Sequence, residues 1–362
     1  ISTQTENHLQ QLEQGALVVV GGQQAGLLTG PLYSVHKAIS VILLANEKRT
    51  QLNTDVVPMF WIAGEDHDIE EINHTYTIVE QQLRKRVYSK RSNKKLTATE
   101  TIYDKQEMTR TIRQIFADFG ETTYTESLLA GVLNHVEKEN TFTGFFTALM
   151  NELFGAYGLL MIDAANPAFR AFEKEYFVKI IEQSEAISKV VVAKEADLQN
   201  TGYGRPIEAS LNNVNLFYVK DGERFLLEWH EGVARNTNVH VQFTKAELIE
   251  LANNHPECLS NNVVTRPLMQ EMTIPVLSFV GGPGELAYWA TLKPAFEQLQ
   301  LKMPIFTPRL HISLVSRKAQ SILDNQKLTV LEVMTGQAEK QLTAFIASIQ
   351  DEDAQLKILK MQ

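Results

Sequence analysis

Three short stretches of this 362-residue chain hold residue types that do chemistry. The first runs from Gly21 to Gly30 and reads GGQQAGLLTG. Bare glycine backbone can approach an anion closely, and each glutamine offers both donors and acceptors. Gly21 and Gly26 have the G-x-x-x-x-G spacing of a phosphate-binding loop, but Leu27 and Leu28 stand where its lysine and Ser/Thr would be. The stretch therefore reads as an anion- or amide-recognising loop and not as an ordinary nucleoside triphosphate site. Its candidate ligand contacts are Gly22, Gln23, Gln24, Gly26, Thr29 and Gly30, with Tyr33, His36 and Lys37 on the helix that follows. Tyr33, His36 and Ser40 fall beside the apolar stripe of that helix and Lys37 further round, and His36 either borders the core or looks into the site.

The second stretch is Glu65-Asp66-His67-Asp68, directly after Trp61-Ile62-Ala63 and shortly before Asn73 and His74. Carboxylates around an imidazole suit three tasks: holding a metal, acting as general base, or holding a cationic amine. Metal is the weakest, since no histidine pair has i, i+4 spacing. Asp66, His67 and Asp68 are the catalytic candidates; Trp61, Glu65, Asn73 and His74 are candidate substrate contacts.

The third is Val280-Gly281-Gly282-Pro283-Gly284-Glu285-Leu286-Ala287, where Gly282, Gly284 and Ala287 match G-x-G-x-x-A. No acid follows about twenty residues on to take a ribose, so a second anion or substrate loop is the better reading. Gly281, Gly282, Gly284, Glu285 and Tyr288 are its candidates, and Arg309 after the next apolar run adds charge to the same crevice.

Each stretch needs an element to hold it. Leu17 to Val20 is a short apolar run of the kind that forms a strand buried on both faces, and Pro31 is placed to open a helix. Leu32, Val35, Ile39, Ile42 and Leu43 would make the core face of that helix. Residues 56–63, 158–164, 275–280 and 304–306 read as further buried strands. Strand, glycine loop, helix is the opening of a doubly wound α/β domain, whose ligands lie at the carboxyl ends of the strands. Residues 74–90 alternate as a hairpin, followed by a basic polar loop at 90–95, and 105–156 are helical with breaks near Gly120 and Asn140. Helix then runs from Asn166-Pro167 to about Asn200, carrying Phe169, Phe172, Tyr176, Phe177 and Ile180 toward a core. Asp221-Gly222 between two strand-like runs is the strongest hairpin signal in the chain. Leu342, Phe345, Ile346, Ile349, Leu356 and Leu359 give a stripe suited to a helical hairpin or coiled coil.

These elements predict a Rossmann-like parallel sheet core interrupted by insertions. The expected division is core at 1–75, a helical and hairpin insertion at 76–157, core at 158–202, and a small β-containing insertion at 203–268. Core then returns at 269–316 before a helical region at 317–362. Composition is ordinary for a globular protein, with 44% hydrophobic and 21% charged residues. A net charge of −9 argues against a general nucleic-acid binder. The single cysteine, Cys258, excludes an internal disulfide and a multi-thiolate metal site, and suits a reducing cytoplasm. No apolar run reaches the length of a membrane span, and no signal peptide begins at Ile1. A first residue other than Met and a helical pattern at Gln362 lead one to expect a longer parent chain.

Taken together, GGQQAGLLTGPLYSVHKA, VPMFWIAGEDHDIEEINH and SFVGGPGELAYWA resemble the BshC family, cysteine ligases of bacillithiol biosynthesis, in order along nearly the whole chain. The resemblance implies a core akin to class I nucleotidyltransferases, connecting insertions, and a C-terminal coiled coil used in homodimerisation. The implied activity joins L-cysteine to the amine of glucosaminyl-malate, with no nucleic acid or membrane as partner. The amine must be neutral to attack, so His67, Asp66 or Asp68 would take its proton. ATP is the candidate activator of the cysteine carboxylate, although the Walker lysine is missing. In this reading residues 22–37 and 65–74 hold the substrate and 281–288 close the crevice. The rivals are a nucleotidyltransferase-like enzyme adenylating another small acid and a non-catalytic dimeric binding protein.

Overall fold

A computed structural model describes residues 2–80, 82–90, 94–349 and 357. Its centre is a five-stranded sheet in the order Ile305–Pro308, Val276–Gly281, Leu17–Gln23, Val56–Ile62, Leu160–Asp163, every neighbour parallel. In chain order the sheet grows outward from Leu17–Gln23, first to one side and then to the other. The strand order therefore reverses between Leu17–Gln23 and Val276–Gly281, the position where open α/β sheets bind ligands.

The apolar runs form strands because both faces of the sheet are covered. Val18, Val20, Val57, Met59 and Trp61 pack with Ile187 and Val191 of the Pro167–Asn200 helix and with Leu268. Val19, Val56, Phe60 and Ile62 pack on the other side with Ala38, Val41 and Ala45 of the Leu32–Leu52 helix. Each such side chain withdrawn from water contributes about 1.5–3 kcal/mol.

On the Leu32–Leu52 helix Val35, Ile39 and Ile42 pack on the core as expected, but the two leucines of the expected face do not. Leu32 and Leu43 are 48% and 54% exposed, whereas Ser34, His36, Lys37, Ala38, Ser40 and Val41 are buried. The cause lies in Gly21: a Cβ there would stand 2.9 Å from Val41 Cγ2 and 3.1 Å from Lys37 Cγ. The helix lies so close to the strand that only small or slender side chains fit between them, and the large leucines turn outward. Pro31 is the N-cap of this helix and Leu32 its first residue, one position later than expected. A 3-10 turn, Leu27–Thr29, occupies part of the glycine loop.

The first insertion carries the His74–Val79 and Gln82–Val87 hairpin and the helices Lys105–Phe119, Thr125–Lys138 and Phe142–Phe154. It has a core of its own around Tyr88, Tyr103, Met108, Ile112, Phe142 and Phe145. Residues 91–93 of the basic loop fall outside the described residues. The second insertion is a five-stranded antiparallel sheet, ordered Leu259–Asn261, Asn213–Lys220, Glu223–His230, Val233–Asn236, Val241–Thr244. Its hairpin turns at Asp221 and Gly222, both at positive φ, as a two-residue turn matched to strand twist requires. Phe177, Ile180 and Ile181 on one long helix, Pro167–Asn200, pack against this sheet, while Phe172 is exposed.

Residues from His311 onward form a separate compact unit. Its described helices, Arg317–Gln326, Val330–Met334 and Gln337–Ser348, are short. Lys327 and Gly336 adopt left-handed backbone and break the run. The long helices of a coiled coil are thus not formed among the described residues, and Leu356 and Leu359 lie outside them. No described helix is long and apolar enough to cross a membrane.

Candidate active site

Loops at the ends of four neighbouring strands line a cleft of about 470 Å³ at the point where strand order reverses. The central strand ends in Gly22 and Gln23, directly paired with Trp61 and Ile62 next door. Gly22 makes that closeness possible, since a Cβ there would meet the Trp61 carbonyl oxygen at 2.5 Å. Gln23, Gln24, Tyr33, Lys37, Trp61, Asp66, Gly282, Gly284, Glu285, Tyr288 and Arg309 also line the cleft. The glycine loop and the 282–288 loop therefore do face one crevice.

Lys37 joins these two loops. Its Nζ donates to the Gly22 carbonyl at 2.5 Å, to Gln23 Oε1 at 3.0 Å and to Glu285 Oε2 at 2.7 Å. Only 1% exposed, its ammonium is pulled below the ordinary lysine range by burial, with Glu285 opposing the shift. Glu285 Oε2 also accepts from the Gly282 N–H at 2.8 Å, capping the Pro283–Trp289 helix. Arg309 stacks over Tyr33 at 5.3 Å, and Arg266 donates to the Tyr288 hydroxyl. Lys37, Arg266 and Arg309 thus bring three cations to the cleft against Asp66 and Glu285. The indole N–H of buried Trp61, a cleft residue, has no hydrogen-bond partner among the described residues. Such a wall suits a ligand carrying carboxylates or other anionic oxygens.

The acid-flanked turn stands beside the glutamines. Gln24 Nε2 donates to Asp66 Oδ2 at 2.7 Å and to Glu71 Oε2 at 2.6 Å. Asp66 Oδ1 in turn accepts from the His67 backbone N–H at 2.8 Å. Asp66 faces the first cleft, whereas His67, Asp68 and Asn73 line a second cavity of about 870 Å³ walled by the first insertion. Burial, and then the Arg224 cation, hold the His67 imidazole below the ordinary histidine range.

Other candidates do not line either cavity. Glu65 is buried, accepting from Arg170 and from Ser260 Oγ at 2.7 Å, while Arg170 also pairs with Glu173 at 2.7 Å. The His74 Nδ1–H donates to the Glu70 carbonyl at 2.8 Å. His36 is buried on its helix. Gly26 and Gly30 serve the loop's own fold, because a Cβ on Gly26 would meet Gly30 Cα at 2.5 Å. Thr29 sits in the 3-10 turn at positive φ, and Gly281 leaves room for the Phe306 ring. Arg266 and Arg224 are absent from the sequence-derived set, since they arrive from elements some two hundred residues away. A lone arginine between Val264-Thr265 and Pro267-Leu268 was the available signal for Arg266.

A family described as "Bacillithiol biosynthesis BshC, N-terminal Rossmann-like domain" matches residues 1–310. The chain belongs to the BshC family. Among relatives whose names assign them, provisionally, as cysteine ligase BshC, the protein of Lysinibacillus sphaericus (strain C3-41) is 54% identical over 362 residues. That alignment covers 100% of this chain and 67% of the relative. The protein of Geobacillus kaustophilus (strain HTA426) is 42% identical over 90% of this chain and 60% of its own length. For Geobacillus thermodenitrificans (strain NG80-2) the figures are 41%, 93% and 63%. The chain thus spans about two thirds, or slightly less, of the length of these BshC relatives, and the Rossmann-like core expected from the strand pattern is the BshC domain.

Proposed function

We propose that this chain carries the core of a ligase that joins L-cysteine to the amine of glucosaminyl-malate, the closing amide bond of bacillithiol synthesis. The observation that carries the reading is the meeting of two polar turns: Gln24 binds Asp66 at the edge of a cleft walled by Lys37, Arg266 and Arg309. The malate carboxylates would be held by Arg266 and Arg309, with Lys37 tying the two loops together and Gln23, Tyr33, Gly282 and Gly284 shaping the cleft. Asp66 or His67, at the junction of the two cavities, would take the proton that the sugar amine loses as the C–N bond forms. A lowered His67 pKa keeps the imidazole neutral and able to accept that proton near pH 7. Amide formation from a free carboxylate needs an activator, and ATP is the class to try first. Cytoplasmic location and homodimerisation through residues 317–362 belong to the same proposal, the latter supported by exposed Leu331, Met334 and Phe345.

Deleting the gene should make cells accumulate glucosaminyl-malate and lose bacillithiol, and restoring it should reverse both. His67→Ala and Asp66→Asn in the restored copy should abolish the thiol. Normal bacillithiol with folded variant protein would remove these residues from the mechanism. Pyrophosphate release from ATP with cysteine alone would favour an adenylating step.

A further inference from the structure

The antiparallel insertion sheet reaches the acid-flanked turn through two side chains. Arg224 on the Glu223–His230 strand is nearly buried, and its Nη1 stands 3.9 Å from Asp66 Oδ1. His67 Nδ1 lies 4.0 Å from the same oxygen. The guanidinium stacks over the Phe217 ring at 4.1 Å, and that ring meets the His67 imidazole edge-on at 6.2 Å. Arg224 Nη2 is tied to the Asn261 carbonyl at 2.6 Å, so the Leu259–Asn261 strand, two places away in the sheet, fixes its direction. Asp66 is therefore held from two sides, by Gln24 on Oδ2 and by backbone N–H groups and Arg224 about Oδ1.

We propose that Arg224 is a positioning residue for the Asp66–His67 turn, so that the second insertion supplies part of the candidate active centre. The assignment rests on the reading of that turn as the proton-transfer group. Arg224 keeps its charge at every working pH, stacks by its flat face on Phe217, and sets both the direction of Asp66 and the field at His67. The other charged groups acting on the imidazole are Asp66 and Asp68 from its own turn and Lys95 from the segment before the first insertion's helices. Asp66 and Asp68 favour the protonated ring; Arg224 and Lys95 oppose it. A residue that merely braced the sheet would leave the titration of His67 where it is.

The test is NMR titration of ¹³C-labelled histidines in the full chain, beside bacillithiol measured in complemented cells. Arg224→Gln should raise the His67 pKa by about half a unit or more and cut bacillithiol at least tenfold, while Arg224→Lys should hold the pKa near its original value. A folded Arg224→Gln protein whose His67 titrates as before overturns the proposal. If Arg224→Gln does not fold, Arg224→Met keeps the apolar bulk of the stem on Phe217 while removing the charge. A moved His67 titration then supports the proposal, and an unmoved one overturns it. Normal bacillithiol in His67→Ala cells would instead strike at the proton-transfer reading, leaving the titration result to stand on its own.

Discussion

Two cavities share one turn, and they are built differently. The first cleft is made from strand ends, glycine backbone and a lysine sealed between two loops. The second is larger, walled mostly by the first insertion, and mixes Lys90, Lys94 and Lys95 with Asp68, Glu70, Glu100 and Asp104. A rigid sheet fixes cations toward one point, which favours a defined anion. Exposed charges of both signs on an insertion are screened and select little. The difference teaches that, under the proposed function, recognition of the sugar acid would belong to the sheet side, with the acid-flanked turn connecting it to the other chamber.

That contrast can be broken most severely at Lys37. Lys37→Met strips Glu285 and the Gly22 carbonyl of their shared partner and should cost about 3 kcal/mol of stability together with the ligand site. Urea unfolding and calorimetry with glucosaminyl-malate would read both losses. Gly22→Ala comes next, because its methyl would press on the Trp61 backbone, which cannot give as a flexible side chain would. About 2 kcal/mol of destabilisation is expected, read as a lower urea midpoint, with bacillithiol lost in complemented cells. Arg309→Gln should leave the fold intact and weaken glucosaminyl-malate binding about tenfold, the worth of one charge-assisted contact. Lys95→Ala, in the second cavity, should change that affinity by less than about twofold.

Outside both cavities, a pH-dependent change in stability is expected at Glu271 on the Thr265–Thr273 helix that carries Arg266. Burial pushes its carboxyl up to about 7, against 4.5 for an ordinary glutamate. Between those values the folded state binds the proton more tightly than the unfolded chain, so stability falls as pH rises through the interval. Glu271→Gln removes that dependence. After allowance for its partial exposure, it should gain about 1 kcal/mol at pH 8 and almost nothing at pH 4. Thermal unfolding at the two pH values would show the difference.

The sheet side was legible in sequence because strands buried on both faces are unbroken apolar runs and their loops need glycine. Gln23, Gln24, Glu285 and Arg309 all fell within reach of those signals, and each lines the cleft. Lys37 was misplaced relative to the core for a physical reason: large leucines dominate a helical-wheel argument, while Gly21 demands small neighbours. Glu65 was read as a ligand group, yet its partner Arg170 lies 105 positions along the chain, and no local pattern declares that pairing. Arg224 and Phe217 were hidden in the same way, since a strand pattern sets their face and not the turn they meet. Of the C-terminal stripe, Leu342, Phe345 and Ile346 do share one helix, Gln337–Ser348, while Leu356 and Leu359 lie outside the described residues.

The most direct measurement is calorimetric titration of glucosaminyl-malate into the wild-type chain, Arg309→Gln and Lys95→Ala, each shown to be folded. The account predicts one site, weakened about tenfold by the first substitution and left intact by the second. Equal binding by the wild type and Arg309→Gln, with loss in Lys95→Ala, would place the sugar acid in the other chamber and contradict it.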